Sequence, residues 1–293
     1  MSVIERALQR IQKQSGVPQT TRKQPVVARV APQSKTIVRN GAAHEELVAE
    51  GRMIEFSTSA LSEAGLCALE NSRLADEYRL IKQPILRKAA EEVPENPRGN
   101  LVMVASSLGG EGKTFTSVNL SLSLASEKDW QVLLVDVDCR NPQLSRLLGV
   151  EKEPGLMDLL KDPSVSLESV VLPTNISGLS VLPLGSRDGH AAEYLRSSQM
   201  DELCERLASM RQGQIVIFDS SPLLLTSESS ILSRSVGQIA LVVLADATPR
   251  HAVHEAIEKL DSDKAIGLVL NRADESGDLL TYGSYHAYGD AGV

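Results

Sequence analysis

LVMVASSLGGEGKT, residues 101–114, is the stretch that decides the fold. Its apolar start reads as a buried strand, which breaks into a glycine-rich turn ending in Gly112-Lys113-Thr114. A strand that turns through glycines into a helix makes a cradle for nucleotide phosphates. Gly109, Gly110 and Gly112 let backbone N–H groups approach phosphate oxygens with no Cβ in the way, Lys113 reaches the β/γ-phosphates, and the Thr114 hydroxyl ligates Mg²⁺. The segment from Phe115 to Ser126 reads as a helix, so the phosphates also sit on a helix N-terminus. Gly109, Gly110, Glu111, Gly112, Lys113, Thr114 and Phe115 are therefore the candidate ATP contacts. Ser107 stands where the simplest form of the motif has glycine.

Two more apolar runs end in aspartate. Gln131 to Val135 leads into Asp136-Val137-Asp138-Cys139-Arg140, and Gln214 to Phe218 leads into Asp219-Ser220-Ser221-Pro222. In a parallel sheet the carboxyl ends of neighbouring strands line one edge, so Asp136, Asp138 and Asp219 converge on the phosphates from distant parts of the chain. Mg²⁺ prefers oxygen ligands and keeps several waters, which makes Thr114, Asp136 and Asp219 its candidate ligands, directly or through water.

Further strands are expected at Leu179–Leu182, Ile215–Phe218, Ile239–Leu244 and Ile266–Leu270, with amphipathic segments between them at Glu193–Met210, Ser227–Ser235 and Pro249–Leu260. Thr248 before Pro249 reads as a helix cap. This alternation predicts an α/β fold of the P-loop NTPase kind, a mostly parallel sheet with helices on both faces. Leu61–Leu86 carries apolar residues at helical spacing, and Pro84 is expected to limit that helix.

The chain has 293 residues and a formal net charge of −8, yet residues 1–40 carry Arg6, Arg10, Lys13, Arg22, Lys23, Arg29, Lys35 and Arg39 against only Glu5. The acidic body argues against nucleic-acid binding. Val3, Ile4, Leu8 and Ile11 share a helical face beside the first basic residues; this short amphipathic segment suits an anionic membrane surface, a partner helix, or a frayed terminal helix. From Ser15 to Asn40 the composition reads as a disordered linker. Apolar runs are strand-sized and the N-terminus has no secretory pattern, so a cytoplasmic protein is expected. Cys67, Cys139 and Cys204 are too dispersed for a disulfide framework or a metal site, and His251 and His254 lack a third ligand.

Three of the five tyrosines, Tyr282, Tyr285 and Tyr288, fall in TYGSYHAYGDAGV, residues 281–293. Glycine-spaced and poor in aliphatic residues, this tail reads as flexible. Beside an ATP site its tyrosines are candidate phosphate acceptors; alone, they are equally the chance content of a disordered tail.

Together these motifs resemble the bacterial tyrosine kinase family, and within it the stand-alone cytoplasmic chain-length-determinant autokinases of exopolysaccharide clusters, the EpsG type associated with exosortases. Lys113 and Thr114 match the Walker A motif, Val132–Arg140 the second acidic motif, Asp219 the Walker B carboxylate, and the tyrosine-rich end the autophosphorylation cluster. Asn271, in GLVLNR, resembles the asparagine used near the base. Asp76-Glu77-Tyr78-Arg79-Leu80-Ile81-Lys82 resembles the E-x-x-R-x-x-R helix through which these kinases form rings, giving Asp76, Arg79 and Lys82 as interface candidates. Relatives usually read D-x-P-P after the Walker B strand, where this chain has Ser221 for the first proline.

The resemblance implies Mg²⁺-dependent transfer of the ATP γ-phosphoryl group to tyrosine. Lys113 neutralises the phosphates, Asp219 and Thr114 hold the metal, Asp136 orients or deprotonates the hydroxyl, and Asp138 supports the metal site. It also implies four regions: a basic, largely disordered arm with a short amphipathic helix (1–58), a helical oligomerisation segment (59–98), the P-loop kinase domain (99–273) and the flexible tail (274–293). Its implied partners are the cytoplasmic tails of a membrane polysaccharide co-polymerase, further copies of itself in a ring, and a phosphotyrosine phosphatase, with recruitment to the inner face of the plasma membrane. Two alternatives stand beside it. One is a MinD/ParA-type regulatory ATPase, although Leu108 occupies the position of the signature lysine of that class. The other is a kinase-like regulator that binds ATP and transfers nothing.

Overall fold

The computed structural model describes residues 26–32, 52–66, 73–91, 96–187, 189–210, 212–261 and 264–273. The amphipathic segment at the start of the chain, Cys67 and the tail with Tyr282, Tyr285 and Tyr288 lie outside the described residues. The first elements are β1 (Ala28–Pro32), β2 (Arg52–Phe56), α1 (Thr58–Glu63), α2 (Arg73–Ala90) and β3 (Leu101–Ser106). They are followed by α3 (Lys113–Ala125), β4 (Gln131–Asp136), α4 (Gln143–Leu147), α5 (Leu156–Lys161), α6 (Leu167–Val170), β5 (Leu172–Pro173) and β6 (Leu179–Leu182). The rest are α7 (Ala191–Tyr194), α8 (Ser198–Ser209), β7 (Gln214–Asp219), α9 (Glu228–Ser235), β8 (Gln238–Leu244), α10 (Arg250–Glu258) and β9 (Ala265–Asn271).

Seven strands form one sheet in the order β5-β6-β4-β7-β3-β8-β9. Every neighbouring pair is parallel except β5 with β6. All six residues of β3 are buried, as a strand covered on both faces requires. Successive side chains go to opposite faces. Leu101 and Met103 join Val216, Phe218 and the α8 residues Met200, Leu203 and Leu207 in one core. Val102 and Val104 join Ile217, the α3 residues Val118, Leu120 and Leu122, and Tyr78 and Ile85 of α2 in the other. This is the α/β arrangement the alternation predicts. Its register places Asp136 opposite Asp219 across the β4–β7 pair.

The structure departs from the sequence reading in four places. The Ser15–Asn40 stretch, whose composition predicts a disordered linker, holds β1, which pairs antiparallel with β2. Its anchors are non-local, and composition therefore does not reveal them: Val27 and Ile54 are fully buried, Val27 N–H bonds to Leu147 O, and the Asn175 side chain bonds both backbone groups of Phe56. Pro84 lies inside α2, which runs on to Ala90 because Ile85 and Ala89 beyond it bury into the core. The segment from Glu193 to Met210 is divided between α7 and α8. Finally, Thr248 is not the cap of α10; Pro249 holds that position, and the Thr248 hydroxyl donates to the Glu111 carboxylate instead.

Lys82 is a further correction, to the interface expectation. It is 3% exposed, with its ammonium donating to Ser123 O at 2.7 Å and paired with Glu127 Oε1 at 2.7 Å. That places a buried cation at the carboxyl end of α3, where the last carbonyls and the helix dipole favour it. It ties α2 to the helix that carries the phosphate loop and is not available to a neighbouring molecule. Asp76 and Arg79 pair with each other on the exposed side of α2.

Candidate active site

The site is built along the carboxyl edge of the sheet. Between β3 and α3 the loop turns through Gly110 at φ 84° and Gly112 at φ 96°, conformations that favour glycine. A Cβ on Gly112 would also stand 2.0 Å from Asn271 Nδ2. The loop is held from the β7 side by Leu223 N–H on Ser106 O at 2.8 Å and Leu224 N–H on Ser107 O at 3.2 Å. Glu111, 2% exposed, holds it from inside. Its carboxylate accepts from Leu108 N–H at 2.7 Å and from the Thr248 hydroxyl, while its carbonyl accepts from Asn271 Nδ2 at 2.9 Å. Asn271 is thus placed against the phosphate loop through its amide nitrogen. The Phe115 ring packs near Gly65, partly buried against the core on the α2–α3 side of the sheet.

Lys113 and Thr114 open α3, and β7 delivers Asp219 beneath them. The Thr114 hydroxyl donates to Asp219 Oδ2 at 2.8 Å, and one turn on, the Ser117 hydroxyl donates to Oδ1 at 2.9 Å. Burial pushes Asp219 up to about 6, against the lowering effect of these bonds and of the Lys113 charge. Asp136, with no exposed surface, is pushed up to about 7 by burial and then by Asp219. Its Oδ1 accepts from Asp138 N–H at 3.1 Å; its Oδ2 accepts from the N–H and hydroxyl of Ser145 at 2.8 and 2.7 Å. Asp138 is 8% exposed and accepts at Oδ1 from Asn141 N–H at 3.0 Å and the Ser221 hydroxyl at 2.8 Å.

The sheet therefore brings Lys113, Thr114, Asp136, Asp138, Asp219 and Asn271 to one edge, and it leaves Asp76, Arg79 and Lys82 on α2. Sequence reasoning missed Ser117, Ser145, Thr248 and the bond made by Ser221. Each is a hydroxyl whose partner comes from another element, so no local spacing marks it; only Ser117, three residues after Thr114 on one helical face, carries a periodic signal. Among the described residues no group of three His, Cys, Asp or Glu side chains has the geometry to hold a metal by itself. The oxygen donors Thr114 and Asp219 suit Mg²⁺, which binds through one or two carboxylates and completes its shell with phosphate oxygens and water.

Residues 99–254 match the family described as AAA domain. Tyrosine-protein kinase YwqD of Bacillus subtilis is 30% identical over 199 residues, covering 67% of this chain and 80% of that protein. Tyrosine-protein kinase ptk of Acinetobacter johnsonii is 30% identical over 212 residues, 72% of this chain and 26% of that protein. The chain thus spans about a quarter of the length of some curated relatives, 28% in the case of EpsB from Ralstonia nicotianae. Among solved structures, the kinase domain of Escherichia coli tyrosine kinase ETK aligns with TM-score 0.60 at 27% identity, over 72% of this chain and 83% of that one. The VpsO kinase domain aligns with TM-score 0.57 at 31% identity, over 69% of this chain and 100% of that one. With its P-loop sheet and a match spanning four fifths of a kinase of similar design, the chain belongs to the bacterial tyrosine kinase family.

Proposed function

We propose that the protein is an ATP-dependent protein-tyrosine autokinase that works with a membrane polysaccharide co-polymerase to set the length or export of an exopolysaccharide. The observation that carries the reading is the carboxylate cluster. Asp136 lies beside the Walker B Asp219, in register across two strands, and Asp138 follows just beyond the end of β4, so the phosphate edge has acidic oxygens beyond those a metal needs. In this reading residues 99–273 form the kinase domain and residues 274–293 carry the acceptors Tyr282, Tyr285 and Tyr288.

When bound, Mg²⁺ neutralises the phosphate oxygens and orients the triphosphate. Thr114 and Asp219 would hold it, the amides of the Gly109–Gly112 loop and the Lys113 ammonium would hold the phosphates, and Asn271 would brace that loop through its bond to Glu111 O. The phenol oxygen bonds to the γ-phosphorus as the bond to the β–γ bridging oxygen breaks, ADP leaves, and the phenolic proton passes to the Asp136–Asp138 pair. Such transfer depends on positioning and charge neutralisation, with little covalent work for the protein. Asp76 and Arg79 supply the exposed charges of a ring interface. Each phosphate adds about −1.5 to −2 charge to the tails, favouring ring dissociation, with a phosphatase closing the cycle.

The test is incubation with Mg-ATP, with and without the cytoplasmic tails of the co-polymerase, read by phosphotyrosine mapping. Phosphate on the tail that disappears in Lys113→Met supports the assignment. ATP hydrolysis without tyrosine phosphate points to the regulatory ATPase, and nucleotide binding without either reaction points to the non-transferring regulator.

A further inference from the structure

The two edges of the central sheet are finished differently. At one end β2 runs beside β5, with a parallel bridge between Ile54 and Thr174 and Asn175 N–H on Ile54 O at 3.0 Å, so the chain covers that edge with its own N-terminal segment. At the other end β9 pairs only with β8 among the described residues. Its sequence, AIGLVLN, is the apolar run of an inner strand. It contains no lysine, proline or bulge, the devices that normally protect an open edge from further pairing.

Leu268 is 62% and Leu270 60% exposed, and as alternate residues they share one face. Their main chain is open as well. Asn271 O accepts from Ala245 N–H just beyond β8, so Asn271 turns its peptide groups toward β8; by the alternation of a strand, Leu268 and Leu270 turn theirs outward. An apolar strip with outward N–H and C=O groups is a template for one more strand.

The residues that follow have the pattern of that strand. Arg272, directly after β9, sits at φ 56°, in the left-handed region where a strand gives way to a turn. Residues 272–278, RADESGD, are rich in the Asp, Ser and Gly that turns favour, and LLTY follows at 279–282. An antiparallel return that sets Leu280 opposite Leu270 also sets Tyr282 opposite Leu268, which places one aliphatic and one aromatic side chain beside the two exposed leucines. A slip of one residue puts Thr281 opposite Leu268 and loses the ring from that face.

We propose that residues 279–282 add to β9 as an antiparallel strand, Leu280 paired with Leu270 and Tyr282 with Leu268, and so complete the sheet at this edge. The Tyr282 ring then lies against Leu268, while Tyr285 and Tyr288 follow beyond the added strand. Under the kinase reading, on which this consequence alone rests, docking withholds Tyr282 from the active site. A phosphate on Tyr282, at about −1.5 to −2 charge, keeps the segment off the apolar strip.

The test is hydrogen exchange resolved to single amides in the unphosphorylated, nucleotide-free full chain, comparing wild type with Leu280→Asp and Leu280→Val. The Leu268 and Leu270 amides are expected to exchange at least about tenfold more slowly in wild type than in Leu280→Asp, with the amides that face β8 unaltered. Leu280→Val, which keeps an apolar side chain suited to a strand, retains the protection. Equal exchange in wild type and Leu280→Asp overturns the proposal. So does protection that disappears on about hundredfold dilution, which assigns the edge to a second copy of the chain. After Mg-ATP, phosphopeptide mapping should find a severalfold larger share of phosphate on Tyr282, relative to Tyr285 and Tyr288, in Leu280→Asp; an unchanged share overturns the withholding of Tyr282. Protected Leu268 and Leu270 amides in a chain that forms no phosphotyrosine support the added strand and refute the kinase reading.

Discussion

Replacing Gly112 by alanine tests how the phosphate loop is held. Two costs are visible in the structure. Gly112 sits at φ 96°, where an L-residue is strained by roughly 1–2 kcal/mol. The new Cβ would also stand 2.0 Å from Asn271 Nδ2, which forces the amide off Glu111 O and forfeits a hydrogen bond worth about 1 kcal/mol. Gly112→Ala should therefore cost about 2–3 kcal/mol in urea denaturation, the sum of those two terms. Asn271→Ala alone should cost about 1 kcal/mol through the lost bond. In the double variant the clash is gone and the bond is already lost, so the two changes should fall short of additivity by about 1 kcal/mol, well above the usual scatter for independent sites. Fluorescent-ADP binding should weaken at least tenfold in Gly112→Ala, because the amides of the loop no longer converge on one phosphate. Strict additivity of the two stability changes, or wild-type ADP affinity in Gly112→Ala, would refute the packing argued for Asn271 on the loop.

Three further outcomes follow from buried charges. Asp219→Asn keeps its shape and removes a charge that burial opposes; the nucleotide-free protein should melt higher than wild type at pH 8 while Mg-ADP affinity collapses, and a lower melting point or unchanged affinity counts against the assignment. Burial raises Asp136 to about 7 and Asp219 to about 6, both above an unfolded value of about 4. The folded state therefore binds more protons between these values, and the stability of the nucleotide-free protein should fall as pH rises from 5 to 7, by at most ~1.4 kcal/mol per unit for each group; denaturation midpoints that stay level or rise over that range contradict the burial. Lys82→Met removes the ammonium bonded to Ser123 O and Glu127 and should cost about 2–3 kcal/mol, measured as a denaturation midpoint; no loss would place Lys82 in solvent and reopen its interface role.

The parts of this molecule that were legible in the sequence are those that repeat a local rule. The apolar runs at Leu101–Ala105, Gln131–Val135 and Gln214–Phe218 end at one sheet edge because parallel strands of similar length share a direction, so Asp136 and Asp219 come together without either motif referring to the other. What remained hidden depends on partners far along the chain. The Pro- and Gln-rich arm contains β1 because Val27 and Ile54 find a place in the core, and Asn175, more than a hundred residues away, pins the paired strand at Phe56. The resemblance of the Asp76–Lys82 segment to a ring-forming helix implies interface roles for Asp76, Arg79 and Lys82. The helix turns Lys82 inward, onto the end of α3, a direction set by the neighbouring helix.

The hydroxyls around the carboxylates show why this part of the site is the hardest to read. Asp219 is held by Thr114 and Ser117, Asp136 by Ser145, and Asp138 by Ser221. A lysine or arginine in any of these places would hold its carboxylate more firmly, but with a fixed positive charge that competes with an incoming cation. A hydroxyl donates when the carboxylate is alone and can rotate to accept when its proton is needed elsewhere. Serine and threonine therefore keep buried carboxylates satisfied and can give up those oxygens to a cation. The raised values of Asp136 and Asp219 are consistent with this design: neutral donors lower them only in part against burial, so the cluster gains most from the positive charge of a metal ion. Serine is common and has no periodicity of its own, so this matching of neutral donors to carboxylates appears only when the strands are set side by side.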